Sequence, residues 1–326
     1  MSGKLLFLGI DTSNYTTSTA LCDDCGNILL NVKLPLPVSH GERGLRQSDA
    51  VFHHVKNLPQ AANEYRRVLW ETDGTLSAVG VSYAPRDLDG SYMPCFLSGI
   101  AAAEYASATA GVPLYKTSHQ AGHIMAALSS ACAVSGTDMN EISASPFLAF
   151  HVSGGTTDLL YCEPASGELV FRITRIGGTL DLNAGQLVDR TGVMMGMQFP
   201  CGAEMDELAC SVARAPRGFS RTSVQGMSCN LSGLENKAAE MYKNTGNRAE
   251  VSAFTLNFIA KTLEQMTLCA IDKYGRIPVI YSGGVMSSRY IRKTLEKYGM
   301  FAEACYSSDN AAGCALLAAE LYRRTH

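Results

Sequence analysis

The 326-residue chain has no apolar run approaching the ~20 residues that a bilayer-spanning helix needs, and its first residues lack a basic segment leading into a hydrophobic one. Neither a membrane span nor a secretory leader is expected, and the chain reads as cytoplasmic. Surplus positive charge is missing too: 27 Lys and Arg against 30 Asp and Glu leave a formal net charge of -3, with pI near 6.2. A surface gripping nucleic acid by overall charge is excluded, so any basic patch has to be local. Arg214, Arg217 and Arg221 are the best candidates for one, although a solvated loop is the simpler reading of them. Cysteine is present but lacks the pattern of a disulfide scaffold. Eleven residues at irregular spacing, with no secretion signal, are expected to be reduced and buried. Cys22-Asp23-Asp24-Cys25 is a lone C-x-x-C without the second pair that a zinc site needs, and a plain turn is the simpler reading.

What is present is a chain that is 46% hydrophobic, long enough for two cores. Residues 5–10 form an apolar run that reads as a buried strand ending in the polar loop 11–17, and 18–21 and 28–32 read as further strands. Residues 49–69 carry apolar side chains at helical period, with Pro59 expected to kink or split the helix. A strand over 78–83, a loop rich in Pro, Asp and Gly, and a helix over 96–109 follow. The same order then recurs. Strands are expected at 147–152, 158–161 and 169–173, and helices at 183–191, 203–213 and 249–274. A strand at 278–281, a helix at 288–298, a short strand near Ala304 and a helix at 310–323 complete the pattern. Three strands, helix, strand, helix, used twice, is the layout of an α/β chain of the two-lobed actin, sugar-kinase and Hsp70-like ATPase type. It consists of duplicated RNase H-like domains with a nucleotide cleft between them. The expected division is 1–118, with the terminal helix 311–326 packing back on it, and 119–326, with a helical insertion at about 183–275. Loops at 11–17, 153–157 and 282–284 each follow a strand and are rich in Ser and Thr or in Ser and Gly. In such loops backbone N–H groups and hydroxyls can reach phosphate oxygens that a larger side chain would hold off. Asp11, Ser13, Val152, Ser153, Gly154, Gly155, Gly283 and Gly284 are the candidate nucleotide contacts on them.

His119 and His123 lie four residues apart, which on a helix stacks two imidazoles on one face, one turn apart. Such a pair can hold one metal ion; imidazole suits zinc, iron, nickel or copper, so the spacing names a site but not its metal. Paired histidines also occur as surface or satisfied core residues, and no glutamate follows His119 as the base of a metalloprotease would. Gly122 inside this helix costs roughly 1 kcal/mol relative to Ala, so something is expected to pack close to the backbone there.

Leu8-Gly9-Ile10-Asp11-Thr12-Ser13, His119-x-x-Gly122-His123, Val152-Ser153-Gly154-Gly155, Ser232-Gly233-Leu234, Ser282-Gly283-Gly284-Val285 and Ser308-Asp309-Asn310-Ala311 run through nearly the whole chain. In this order they resemble the tRNA N6-adenosine threonylcarbamoyltransferase family, long misnamed O-sialoglycoprotein endopeptidase. The resemblance implies one divalent metal, iron or zinc, on His119, His123 and Asp309. His151, where some members have tyrosine, would be either a fourth ligand or a substrate contact. The resemblance further implies contacts from Ser153, Gly154 and Gly155 to the nucleotide or acyl group, from Asp189 to ribose, and from Gly202 and Ser288 to the adenosine end. The expected reaction transfers a threonylcarbamoyl group from threonylcarbamoyl-AMP to N6 of an adenosine in tRNA, with no protein nucleophile, and the adenylate bound is threonylcarbamoyl-AMP or ATP. The expected partners are tRNA, a non-catalytic paralogue in a heterodimer, and a P-loop ATPase of the same pathway.

The sequence departs from that family at several positions. Ala121 stands where glutamate is usual, Thr156 follows Ser-Gly-Gly, Leu182 and Gln186 replace carboxylates, Cys201 replaces a glycine, Ser288 replaces an asparagine, and a longer stretch at 85–99 replaces a Gly-Pro-Gly segment. Fewer acidic and amide groups change what a site can hydrogen-bond. Two alternatives therefore stand beside the leading expectation: a carbamoyltransferase on a small molecule or protein, and a non-catalytic nucleotide-binding subunit.

Overall fold

The computed structural model describes residues 4–13, 15–37, 45–212, 222–306 and 311–326. The chain forms two compact units: 1–129 with 164–172 and 308–326, and 130–163 with 173–307. In the first, β1 (Lys4–Asp11), β2 (Thr16–Asp23) and β3 (Ile28–Pro35) precede α1 (Gln47–Glu71), β4 (Gly74–Ala84), α2 (Phe96–Ala110), β5 (Leu114–Ser118) and α3 (His119–Ser135). The expected boundary at 118/119 falls at the β5–α3 junction inside this unit, and the chain changes unit within α3.

The sheet order is β3-β2-β1-β4-β5, with β1–β2 and β2–β3 antiparallel and β1–β4 and β4–β5 parallel. Leu6, Phe7, Leu8 and Ile10 are all buried, because β1 sits centrally and is covered on both faces. Pro59 does not split α1, which is one helix from 47 to 71. Val55, whose carbonyl Pro59 leaves without its helical donor, and Pro59 itself are exposed, so water can take that carbonyl. The Cys22–Cys25 stretch is a turn: Asp23 accepts from the backbone N–H of Cys25 and Asn27 and from Asn27 Nδ2, and pairs with Lys4 at 2.7 Å.

The second unit contains α4 (Met139–Ser143), β6 (Phe147–Val152), β7 (Thr157–Pro164), β8 (Phe171–Thr179), α5 (Ala184–Met194), α6 (Gly202–Cys210), β9 (Val224–Gln225) and β10 (Ser228–Cys229). It continues through α7 (Ser232–Thr245), α8 (Arg248–Tyr274), β11 (Val279–Ser282), α9 (Arg289–Leu295) and β12 (Met300–Phe301). Its sheet runs β12-β11-β6-β7-β8-β10-β9. The segment β8-β7-β6-β11-β12 repeats the order of the first sheet, with β6–β7 antiparallel and β6–β11 and β11–β12 parallel. The helical insertion also carries the β9–β10 ladder at the sheet edge. The strand expected near Ala304 lies instead at Met300–Phe301, where Phe301 is buried against the sheet; 304–306 is a single 3-10 turn. α8, with its apolar residues buried over most of its length, is the spine of this core, which also holds Phe150 and Tyr281.

The last helix, α10 (Ala312–Thr325), belongs to the first unit and packs on β1, β2 and β4. It is what packs beside Gly122. A Cβ on Gly313 of α10 would sit 1.8 Å from the Gly122 carbonyl oxygen, so the two helix backbones touch at this crossing. No helix among the described residues is long and apolar enough to cross a membrane.

Candidate functional site

The first site belongs to the first unit and begins with a buried carboxylate at the end of β1. Asp11 is 1% exposed. Ser82 on β4 donates to its Oδ1, and Ser13 donates through both its backbone N–H (3.1 Å) and its hydroxyl (2.8 Å). His119 Nδ1, at the start of α3, lies 3.0 Å from Asp11 Oδ2. Burial alone would push the Asp11 carboxyl up, but the His119 charge and the bonds from His119, Ser82 and Ser13 outweigh it and hold it at about 2. An ionised Asp11 only accepts, so His119 donates to it from Nδ1, and in the neutral ring the lone pair is on Nε2. That Nε2 lies 2.9 Å from His123 Nε2. Two ring nitrogens this close need a proton between them or a cation bound to both. Bonds of ~2.0–2.1 Å to a shared ion would span this gap near a right angle. A carboxylate on the far nitrogen of a ligating histidine is the usual support that fixes its ring. The residues present therefore fit a divalent metal. Asp11 and Ser13, expected as nucleotide contacts, are bonded to one another and brace His119.

Asp309 lies outside the described residues, as do Arg214, Arg217 and Arg221. His151 is on β6 in the second unit, across from Asp158 on β7 and Ser282 on β11, with its Nδ1 3.5 Å from Ser282 Oγ.

The second site is a cavity of about 550 Å³ within the second unit, lined by residues of α5, α6, α8 and the loops that follow β6 and β11. Of the expected contacts, Gly154, Asp189, Gly202, Gly284 and Ser288 line it. Val152 is buried in β6, and Gly155 lies outside the lining, where its carbonyl accepts from Asn183 Nδ2 at 3.0 Å. The 153–157 loop is tied down: Ser153 N donates to Thr156 O at 2.7 Å, and Gly185 N to Ser153 O at 3.1 Å. Gly283 has φ +100 and would put a Cβ 2.2 Å from Val152 O, so glycine is required there and Gly284 is held beside the cavity. Asp189 accepts from Cys201 N at 2.9 Å through Oδ1, and burial pushes its carboxyl up. Its Oδ2 has no partner among the described residues and remains an acceptor at the cavity wall.

Sequence reasoning missed Asp206 and Arg289. Asp206 Oδ1 accepts from Ser288 Oγ (2.6 Å) and Tyr290 N (3.0 Å), and Oδ2 pairs with Arg289 Nε at 3.1 Å. This cluster joins α6 to the start of α9, more than eighty residues apart, and no local motif marks it.

The model of the tRNA N6-adenosine threonylcarbamoyltransferase family matches residues 41–316. A Streptococcus suis tRNA N6-adenosine threonylcarbamoyltransferase is 29% identical over 300 residues, covering 89% of this chain and 83% of its own. A Streptococcus pneumoniae protein of the same description is 28% identical over 298 residues, with 88% and 82% covered. Among solved structures, T. kodakarensis HypF superposes with a TM-score of 0.56 at 12% identity, over 98% of this chain and 48% of that one. At that identity the likeness is one of fold. With the repeated strand order it gives the actin-like ATPase and sugar-kinase architecture.

Proposed function

Since the chain belongs to the tRNA N6-adenosine threonylcarbamoyltransferase family, a family of transferases, we propose that it moves a threonylcarbamoyl group from threonylcarbamoyl-AMP to N6 of an adenosine in tRNA. The N6 amine attacks the carbamoyl carbon, the bond from that carbon to the phosphate oxygen breaks, AMP leaves with the electron pair, and N6 sheds a proton. The observation that carries this reading is the line Asp11–His119–His123, a buried carboxylate orienting one imidazole toward another at 2.9 Å. A divalent iron or zinc ion held by His119 and His123, with Asp309 as third ligand and His151 as a fourth ligand or a substrate contact, would supply a Lewis acid that polarises the carbamoyl carbonyl. Asp11 keeps the His119 lone pair on Nε2. The cavity of the second unit takes the adenylate. Its free Asp189 oxygen suits a ribose hydroxyl, and the bare backbone of Gly154, Gly202 and Gly284 leaves room for the nucleotide. No protein nucleophile is required, so the rate depends on alignment of amine and carbonyl.

For partners we propose tRNA, a P-loop ATPase of the same pathway, and a paralogous subunit. Phe52 and Val55 on α1 and Leu97 and Tyr105 on α2 are exposed apolar side chains on neighbouring helices, which supports a protein partner docking on these two helices. The test is incubation of the purified chain and its His119→Ala variant with threonylcarbamoyl-AMP and unmodified tRNA, with the candidate partners added. Mass spectrometry of the digested tRNA is expected to show the modified nucleoside with the native chain only. No product under any combination sinks the reading. Product with both proteins removes the metal site from the reaction.

A further inference from the structure

We infer that Arg289 reads the purine ring in the second unit's cavity, donating from its Nη amines to a ring nitrogen of the base. This rests on the reading of that cavity as an adenylate site. Arg289 opens α9 and lines the cavity, with its side chain 69% exposed. Its Nε is pinned to Asp206 Oδ2 at 3.1 Å, which fixes one edge of the planar guanidinium. Among the described residues its two Nη amines have no partner.

The groups around it are spent. Both oxygens of Asp206 are taken within the α6–α9 junction, and the Ser288 hydroxyl donates to Asp206 while accepting from Ile291 N at 3.2 Å. Of these three side chains, only the Arg289 donors are left for a ligand. A group seated beside them has to bring acceptors, because another donor would meet nothing to bond. A purine does so through ring nitrogens N1, N3 and N7. A ribose hydroxyl is served by Asp189, which offers an acceptor on the same cavity wall. The cavity therefore sorts its polar lining by function, with an acceptor for the sugar and donors for the base. A carboxylate-anchored guanidinium loses less freedom on binding than a loose lysine would, which suits it to discriminate.

The experiment removes the acceptor on one side and the donor on the other. AMP and its 1-deaza, 3-deaza and 7-deaza analogues are titrated calorimetrically into the native chain and into Arg289→Ala, with Arg289→Gln as a second variant and melting curves as the check on folding. One of the analogues is expected to bind the native chain about tenfold more weakly than AMP, the scale of a hydrogen bond to a charged donor. That same analogue should bind both variants as well as AMP does. Loosening of Asp206 by the substitution affects AMP and analogue alike and cancels in the ratio. Equal binding of all four ligands by the native chain, or a deficit that persists in both variants, overturns the inference while leaving the adenylate reading intact. If the native chain binds none of the four, the adenylate reading itself fails, and this inference with it.

Discussion

At the level of single residues, the site turns on what each buried polar group has as a partner. Replacing Asp11 by Asn keeps an acceptor beside His119 Nδ1 but removes the charge that raises the basicity of the ring. A supporting group of this kind is worth roughly 10–100-fold in metal affinity. Titration of the metal-stripped protein with Zn²⁺ should show a loss of that size in Asp11→Asn; unchanged affinity would mean that Asp11 braces the fold alone. His54 is a second such group. It is fully buried on α1, its Nδ1 lies 2.8 Å from Thr17 Oγ1, and its Nε2 has no partner among the described residues. Burial pushes it from 6.5 down to about 4. The unfolded chain takes up a proton near 6.5 while the folded chain resists until about 4. This stability is complete above 6.5 and is lost as pH falls through that window to about 4, by an amount on the order of 3 kcal/mol. Urea unfolding at pH 7 and pH 4.5 should show a steeper loss for the native chain than for His54→Gln; equal slopes would dismiss His54 as the titrating group. Of these residues, the pair His119 and His123 was visible in the sequence because its geometry is local. The Asp11–His119 contact spans 108 positions, and nothing in either stretch announces the other.

For elements, the informative place is the crossing of α3 and α10. Gly122 stood out in the sequence as a costly residue within a helix, and the backbone of α10 does pass beside it, but the glycine that this crossing requires is Gly313. The two glycines are unequal. A methyl on Gly313 would be 1.8 Å from the Gly122 carbonyl, whereas one on Gly122 would meet Cys314 Sγ at 3.5 Å, an ordinary contact. Gly313→Ala should therefore cost at least ~2 kcal/mol through overpacking. Gly122→Ala should be neutral or stabilising, up to ~1 kcal/mol from helix propensity. Denaturant midpoints of the two variants would show it, and equal losses in both would contradict the crossing. Elements were legible where burial imposes a period. The strands β1 and β6 are continuous apolar runs, and α8 presents apolar residues over twenty-seven positions. β5 and α7 were not. β5 is five residues, Leu-Tyr-Lys-Thr-Ser, half polar, and gains its strand state only from pairing with β4. α7 buries only Leu234 and Ala238, too few to mark a face.

Across the whole molecule, the duplication was readable because each half repeats the same order of strands and helices, and the sheets follow it strand for strand. Charge is a different matter. With a formal net charge of -3, the chain has no global attraction for a polyanion, so an RNA substrate has to be held by a local cluster or by a partner. The best candidate in the sequence is Arg214, Arg217 and Arg221. If these three neutralise phosphates, the slope of log affinity against log salt carries about 0.7 for each contact, so the triple alanine variant should flatten that slope by ~2. The affinity at low salt should fall, and the difference between native and variant should vanish as salt rises, because both then depend on uncharged contacts alone. Fluorescence anisotropy of labelled tRNA over a salt series measures both. An unchanged slope would take these arginines out of tRNA binding and leave its electrostatic share to other basic residues or to a second subunit. In the latter case the exposed apolar residues of α1 and α2 would be the surface through which that subunit acts.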